Sequence, residues 1–238
     1  MKKIKGLIIL VALFVVPLYA GAGIIGDFSL KLAASTPSGE VNISNVKSNV
    51  YLDYDLSFDQ GVNWQEAFCV ENATAYSGST NTYTLLTVDS GLADFGLDPA
   101  KYLQAVVIAE YFFNNYEGKA SEEAYKAGAQ IAIWEAMFDS SFDITTGNFK
   151  VLSSYSNNYE DEAQTIWNAV QNYALPESTS NWALAVSPTV QEGDTVKVEN
   201  FQNYLVRYNI PTVPEPMSLL LLGFGLLGLG VVSRKAKK

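Results

Sequence analysis

The sequence predicts an α+β protein, a β-rich ectodomain with an inserted helical segment of about three helices, flanked by an N-terminal signal helix and a C-terminal transmembrane helix. Three observations carry that reading. Alternating apolar and polar residues fill the first third of the body and return near its end. Between them, from Asp98 to Tyr173, apolar residues recur at helical spacing. Strands, then helices, then strands is an α+β order.

Taken in chain order, Lys2, Lys3 and Lys5 precede an apolar run from Gly6 to Leu18, and Ala20-Gly21-Ala22 supplies a small-x-small cleavage pattern. Residues 1–22 therefore read as a secretory signal peptide, cut after Ala22 or after Ala20. An uncleaved anchor is the other reading, although the run is short for a span of about 20 residues.

In the body, residues 23–210, strands are expected over Asp27–Ala33, Val41–Val46 and Asn49–Phe58, with Thr36-Pro37-Ser38-Gly39 a turn between the first two. Ala67–Tyr76 and Thr82–Val88 read as a hairpin around Ser77-Gly78-Ser79. Asp98-Pro99 supplies an N-cap and a proline at the first helical position. Tyr102, Ala105, Val106, Ala109, Phe112, Phe113 and Tyr116 form the stripe of that helix, which Gly118 ends. Ser121 is the expected cap of the next helix, with Glu122 and Glu123 in its first turn. Ala124, Ala127, Gly128, Ile131, Trp134 and Phe138 are its packed stripe, small enough in places for close approach to a neighbour. A third helix is expected from about Tyr159 to Tyr173. Strands follow at Trp182–Val186, Thr195–Glu199 and Tyr204–Tyr208, with Gln191-Glu192-Gly193-Asp194 a tight turn.

Composition excludes whole classes of chemistry. The chain has 238 residues, no histidine and one cysteine. Ser-His-Asp triads, Cys-His pairs and His-ligated zinc are ruled out, as is a disulfide within the chain. Seven of the 15 basic residues sit at the two ends, so the middle of the chain has eight cations facing all 25 acids. That charge repels nucleic acid. No phosphate-cradling glycine loop is present and no cofactor is implied. Asp27, Asp53, Asp55 and Asp59 invite a calcium site, but they lack EF-hand spacing and alternate as exposed strand residues do, so no metal site is expected. Tyr51, Tyr54, Trp64, Tyr76 and Tyr83 are candidates for stacking on sugars, or ordinary strand and core residues. Asn42-Ile43-Ser44 and Asn72-Ala73-Thr74 match the glycosylation pattern. No spacing marks a glycosidase acid and base, and a hydrolase is the most distant reading.

The last segment, residues 211–238, has three parts. Pro214-Glu215-Pro216 comes first, an uncharged span from Met217 to Val232 follows, and Arg234, Lys235, Lys237 and Lys238 close it. The cations hold that end on the cytoplasmic side. This tripartite tail resembles the PEP-CTERM sorting signal of Gram-negative bacteria. The resemblance implies export, anchoring in the inner membrane during transit, and processing near the motif by an exosortase-type membrane protease. It further implies a final place at the cell surface or in the extracellular matrix, among exopolysaccharide.

Two segments of the body carry chemistry. Cys69 lies in Phe68-Cys69-Val70-Glu71, and Gln130 lies in Gln130-Ile131-Ala132-Ile133-Trp134. Read as ordinary residues, Cys69 is a small buried hydrophobe and Gln130 a helix-surface amide beside Lys126. Together they resemble the Cys and Gln motifs of the thioester domains of bacterial surface adhesins, and Phe201-Gln202-Asn203-Tyr204-Leu205-Val206 is similar to that family's third motif. Ala129 stands where the family has Thr. The resemblance implies a bond between the Cys69 sulfur and the Gln130 acyl carbon, opened once by a surface amine. Phe68, Ile133 and Trp134 would shield it, with Glu71 and Gln202 in its environment. A single-turnover reaction of this kind is not enzymatic. The alternative is a non-covalent structural or polysaccharide-binding matrix protein with the same fold and an unreacted Cys69.

Overall fold

The computed structural model describes residues 23–71, 80–154, 159–187, 189–192, 195–198 and 202–208. The expected signal peptide and sorting tail, the 77–79 turn and the Gly193-Asp194 turn lie outside these residues.

Among the described residues, nine strands and three α-helices make up the body. In chain order they are β1 (Ile24–Ile43), β2 (Val46–Ser57), β3 (Gln65–Cys69), β4 (Thr80–Asp89), α1 (Pro99–Asn115), α2 (Glu122–Phe138), β5 (Phe149–Ser154), α3 (Tyr159–Val170), β6 (Ser178–Val186), β7 (Thr189–Glu192), β8 (Thr195–Val198) and β9 (Tyr204–Arg207). Seven strands form one antiparallel sheet in the order β2-β3-β9-β6-β4-β1-β5, and β1 also pairs with β2. The ring β1-β2-β3-β9-β6-β4 therefore closes on itself, with β5 added along the far end of β1. Closure removes most free edges. β7 and β8 form a separate two-stranded ladder.

The long β1 makes closure possible. Its first part pairs with β4 from Ile24 to Lys31, and its second part pairs with β2 from Lys31 to Ile43. The expected turn at Thr36–Gly39 is instead a bulge inside this strand: the register with β2 slips by one residue between Ser35 and Ser38. Proline has no N–H for a ladder and is tolerated at such a bulge. The extra residue also inverts the alternation. Leu30 and Leu32 are buried before it, Val41 and Ile43 after it. The actual turn is Ser44-Asn45, both at positive φ (52° and 68°), the left-handed pair that a two-residue hairpin needs. It cuts through the expected Val41–Val46 strand.

The expected hairpin of Ala67–Tyr76 with Thr82–Val88 does not form. β3 ends at Cys69 and lies between β2 and β9, whereas β4 lies between β6 and β1. A strand from near the end of the body displaces the local partner.

The helical segment follows most of its sequence signals. The Asp98 side chain accepts from the Ala100 N–H at 3.1 Å, as a cap should, and Pro99 opens α1. Ser121 makes no side-chain cap bond; the Glu122 carboxylate instead accepts from the Gly118 N–H at 2.8 Å. A 3₁₀ turn at Ser90–Phe95 and strand β5 were not anticipated, and α3 stops at Val170. Helix α2 is buried almost all round, packed on α3, α1, β2, β5 and β3. Its approach to α3 depends on Gly128. A Cβ there would meet Glu162 Cβ at 2.7 Å and the Ala163 nitrogen at 2.8 Å.

Candidate functional site

Cys69 is the last residue of β3. The β2–β3 pairing stops at Tyr54–Ala67, while β9 continues alongside with Tyr204 opposite Cys69. One edge of the Cys69 backbone is thus left without a strand partner. Gln130, from α2, fills that edge. Its Oε1 accepts from the Cys69 N–H at 2.8 Å, and its Nε2 donates to the Cys69 carbonyl at 2.8 Å. Both residues are wholly buried. The reading of Gln130 as a helix-surface amide is overturned: helix α2 is enclosed, and a buried carboxamide needs partners, which the strand end supplies.

The sulfur lies in a polar knot inside the ring. The Cys69 thiol donates to the Glu71 carbonyl oxygen at 3.1 Å. Burial pushes the thiol up to about 12. It is therefore a neutral thiol at physiological pH. Tyr54 and Tyr204 are held well above the ordinary tyrosine range, chiefly by burial and then by the nearby Cys69, and burial raises Tyr83 to about 12. The Tyr204 hydroxyl donates to Gln202 Oε1 at 2.9 Å. Tyr54 and Tyr83 are thus core residues and not sugar contacts. Tyr51 and Trp64 are exposed, and Tyr76 lies outside the described residues.

The neighbours expected around the pair divide by face. Phe68 is buried and points opposite to Cys69, as successive strand residues do. Its ring meets Phe112 and Phe113 of α1 and Trp182. Ile133 and Trp134 are fully buried on α2, and Trp134 packs on Phe149 at 5.8 Å. The Trp134 indole Nε1 is buried without a conventional hydrogen-bond partner. Glu71 has a structural connection: its Oε1 accepts from Asn203 Nδ2 at 2.6 Å, and Asn203 Oδ1 accepts from the Ser187 N–H. With the Val70 N–H bonded to the Asn203 carbonyl, this pins the 202–203 segment beside the cysteine.

One turn before Gln130, Lys126 is buried, a feature the sequence pattern did not reveal. It forms ion pairs with Asp53, Asp55 (3.3 Å) and Glu66 (3.6 Å). Asp55 and Glu66 are cross-strand partners. Burial, joined by the neighbouring acids, pushes Glu66 up to about 7 against the opposing pull of Lys126. The four aspartates considered for calcium do not converge. Asp53 and Asp55 serve Lys126, Asp59 accepts from Val62, Asn63 and Ser57 in its own loop, and Asp27 accepts from Thr84. Among the described residues no cluster is suited to a metal ion.

The PEP-CTERM protein-sorting motif matches residues 212–235. The chain carries a PEP-CTERM sorting signal. The match takes in Pro214, Glu215, Pro216 and the whole uncharged span. Such a motif implies export, membrane-anchored transit and processing by exosortase. No curated protein and no solved structure matches the chain. No helix among the described residues is long and apolar enough to cross a membrane; the expected span, 217–232, lies outside them.

Proposed function

We propose that this exosortase-sorted surface protein attaches covalently to amine-bearing targets through an internal thioester between Cys69 and Gln130. The observation that carries the reading is the paired hydrogen bonding of the Gln130 carboxamide to the Cys69 backbone in a dry site. The pairing fixes the acyl carbon beside the residue that bears the sulfur, and enforced proximity is what a poor electrophile needs. The Cys69 N–H donates to Oε1, the oxygen on which negative charge develops when the carbon is attacked. Sγ adds to the Gln130 acyl carbon, the C–N bond breaks, and the thiol proton goes to Nε2, which departs as ammonia. A neutral thiol supplies that proton itself. Later an amine nitrogen adds to the same carbon, the C–S bond breaks, the amine's proton ends on sulfur, and Gln130 becomes a substituted amide. Each molecule acts once, so the protein is not an enzyme. Burial keeps water from the bond until a target arrives.

Incubation with methylamine followed by peptide mapping tests this. The expected product is N-methylglutamine at Gln130 with a free Cys69 thiol. Unmodified Gln130 after prolonged exposure contradicts it.

A second reading, non-covalent binding of matrix polysaccharide, draws on a groove lined by Trp64, Gln65, Glu117, Arg207 and Tyr208. It joins an exposed indole to planar hydrogen-bonding groups. Glycan-array binding lost in Trp64→Ala supports it; equal binding by that variant removes it.

A further inference from the structure

The groove beside Trp64 lies at the opposite end of β3 from Cys69. Trp64 stands just before the strand and Gln65 opens it, while Arg207 ends the antiparallel neighbour β9. Phe113 of α1 and Glu117 just beyond that helix also line it. The space is about 620 Å³, within the usual range of ligand sites, about 300–1,000 Å³.

Trp64 is 41% exposed, yet it is held in place. The loop before it is tied by its own side chains. The buried Ser57 hydroxyl accepts from the Gly61 N–H at 2.7 Å, and Asp59 accepts from the Val62 and Asn63 N–H groups at 3.1 and 2.8 Å. Gly61, at φ 97°, brings the backbone up to the ring, where a Cβ would stand 3.2 Å from both Trp64 Cζ2 and Lys31 Nζ. Across the groove Tyr208 is braced by Phe28 at 5.9 Å and Phe58 at 5.4 Å. Rings fixed before a ligand arrives spare the cost of ordering them on binding.

The charge here runs against that of the chain. Two of the eight cations in the middle of the sequence stand at this groove. The Lys31 ammonium lies 6.0 Å from the Trp64 ring centroid and takes part in no ion pair among the described residues. The Arg207 guanidinium lies 4.6 Å from the Phe113 ring centroid, a contact that steadies its planar donor fork. Its acid, Glu117, is 3.6 Å away, beyond hydrogen-bond length, and both side chains are half-exposed, so water loosens the pair. Glu66, the other acid of the groove, is turned to Lys126 at 3.6 Å. An incoming carboxylate therefore meets a preformed fork for which one loosely held anion competes.

We propose that this groove binds an acidic polysaccharide through its uronic-acid units, with the C–H face of the sugar ring on Trp64 and the sugar carboxylate on the Arg207 guanidinium. The proposal rests on the polysaccharide-binding reading of the groove and gives it a substrate class. A uronate carries its carboxylate at the edge of a rigid ring that also has an apolar face. Ring and charge thus reach the indole and the fork together, and an Arg–carboxylate pair adds direction as well as attraction. An acidic peptide carries its carboxylates on flexible stems and offers no such face.

Titration calorimetry of the exported protein with polygalacturonate oligomers, their carboxyl-reduced counterparts and dextran sulfate tests this. Polygalacturonate is expected to bind about tenfold or more tighter than either of the other two, and more weakly as salt is raised. Trp64→Ala abolishes that binding, and Arg207→Gln weakens it about ten- to a hundredfold, the scale of hydrogen bonds to a charged group. Glu117→Gln, an exposed change that keeps the groove intact, is expected to tighten it, because the competing anion is gone. Binding that Glu117→Gln leaves unchanged or weaker overturns the carboxylate site even if Arg207→Gln fails to fold. Equal affinity for the acidic and the carboxyl-reduced oligomers overturns the proposal and leaves a neutral-polysaccharide groove. Dextran sulfate bound as tightly as polygalacturonate overturns it in favour of general anion attraction. Binding to none of the three ends both this proposal and the polysaccharide reading.

Discussion

The Gln130 carboxamide occupies the place of a missing β-strand partner for Cys69, taking its N–H and its carbonyl at 2.8 Å each. A helix side chain and a strand end are thereby joined as rigidly as two strands. The same contact supports the fold and sets the geometry of the proposed bond.

Gln130→Leu keeps the volume of the side chain and abandons both backbone groups in a dry site. Each unsatisfied buried group costs about 1–3 kcal/mol. Denaturant unfolding of the Cys69→Ala background, where no covalent bond is possible, is expected to show a loss of about 2–5 kcal/mol for this substitution. A change below about 0.5 kcal/mol, the range of ordinary surface substitutions, contradicts the structural role.

Lys126→Met leaves Asp53, Asp55 and Glu66 facing one another. Breaking a fully buried pair costs about 3–5 kcal/mol. The acids here are still partly solvated (23%, 32% and 24% exposed), so a smaller loss of about 1–3 kcal/mol is expected. Equal midpoints in urea for variant and wild type contradict it.

Glu66 and Glu135 are both raised to about 7 from 4.5, with burial the larger cause in each. A carboxyl raised in the folded state binds its proton more tightly there than in the unfolded chain. Stability is then highest below pH 4.5 for these two groups and falls as pH rises toward 7. Glu135→Gln removes one contribution. Its Oε1 acceptor for the Asp143 N–H is retained by the amide oxygen. The fall in unfolding midpoint between pH 5 and pH 7.5 is expected to be shallower in this variant, measured by thermal scans across that range. An unchanged slope sinks the assignment.

Gly128→Ala drives a methyl group into the backbone of α3, at 2.8 Å from the Ala163 nitrogen. The better helix propensity of alanine is worth about 1 kcal/mol in its favour. Overpacking against backbone costs about 1–3 kcal/mol or more, so a net loss of stability is expected by calorimetry. A stabilised variant shows that α2 and α3 can separate freely.

What the sequence made legible was local. Asp98-Pro99 marked the start of α1, and the small residues of α2 foretold the close approach of a neighbour, which the structure shows to be α3. The strand–helix–strand order yielded the α+β class. Ring closure was hidden because it depends on β9 entering between β3 and β6, a pairing across more than half the chain. Thr36-Pro37-Ser38-Gly39 looks like a turn because its residues suit either a turn or a bulge, and only the partner strand decides. Ser44-Asn45 lacks the glycine that usually marks its hairpin type. At the site, Cys69 and Gln130 were recognised as a pair. Lys126 was placed on a helix surface, since one lysine in an apolar helix gives no sign of three acids assembled by the β2–β3 register. The unpartnered indole N–H of Trp134 is a fact of three-dimensional packing with no sequence signal.

The most direct measurement is the intact mass of the native exported protein, alone and as Cys69→Ala. The thioester account predicts that wild type is lighter than its sequence by one ammonia and that Cys69→Ala shows no deficit. A wild-type mass equal to the sequence, with one thiol titrating only after denaturation, contradicts covalent attachment and leaves a buried, unreacted cysteine in a PEP-CTERM surface protein.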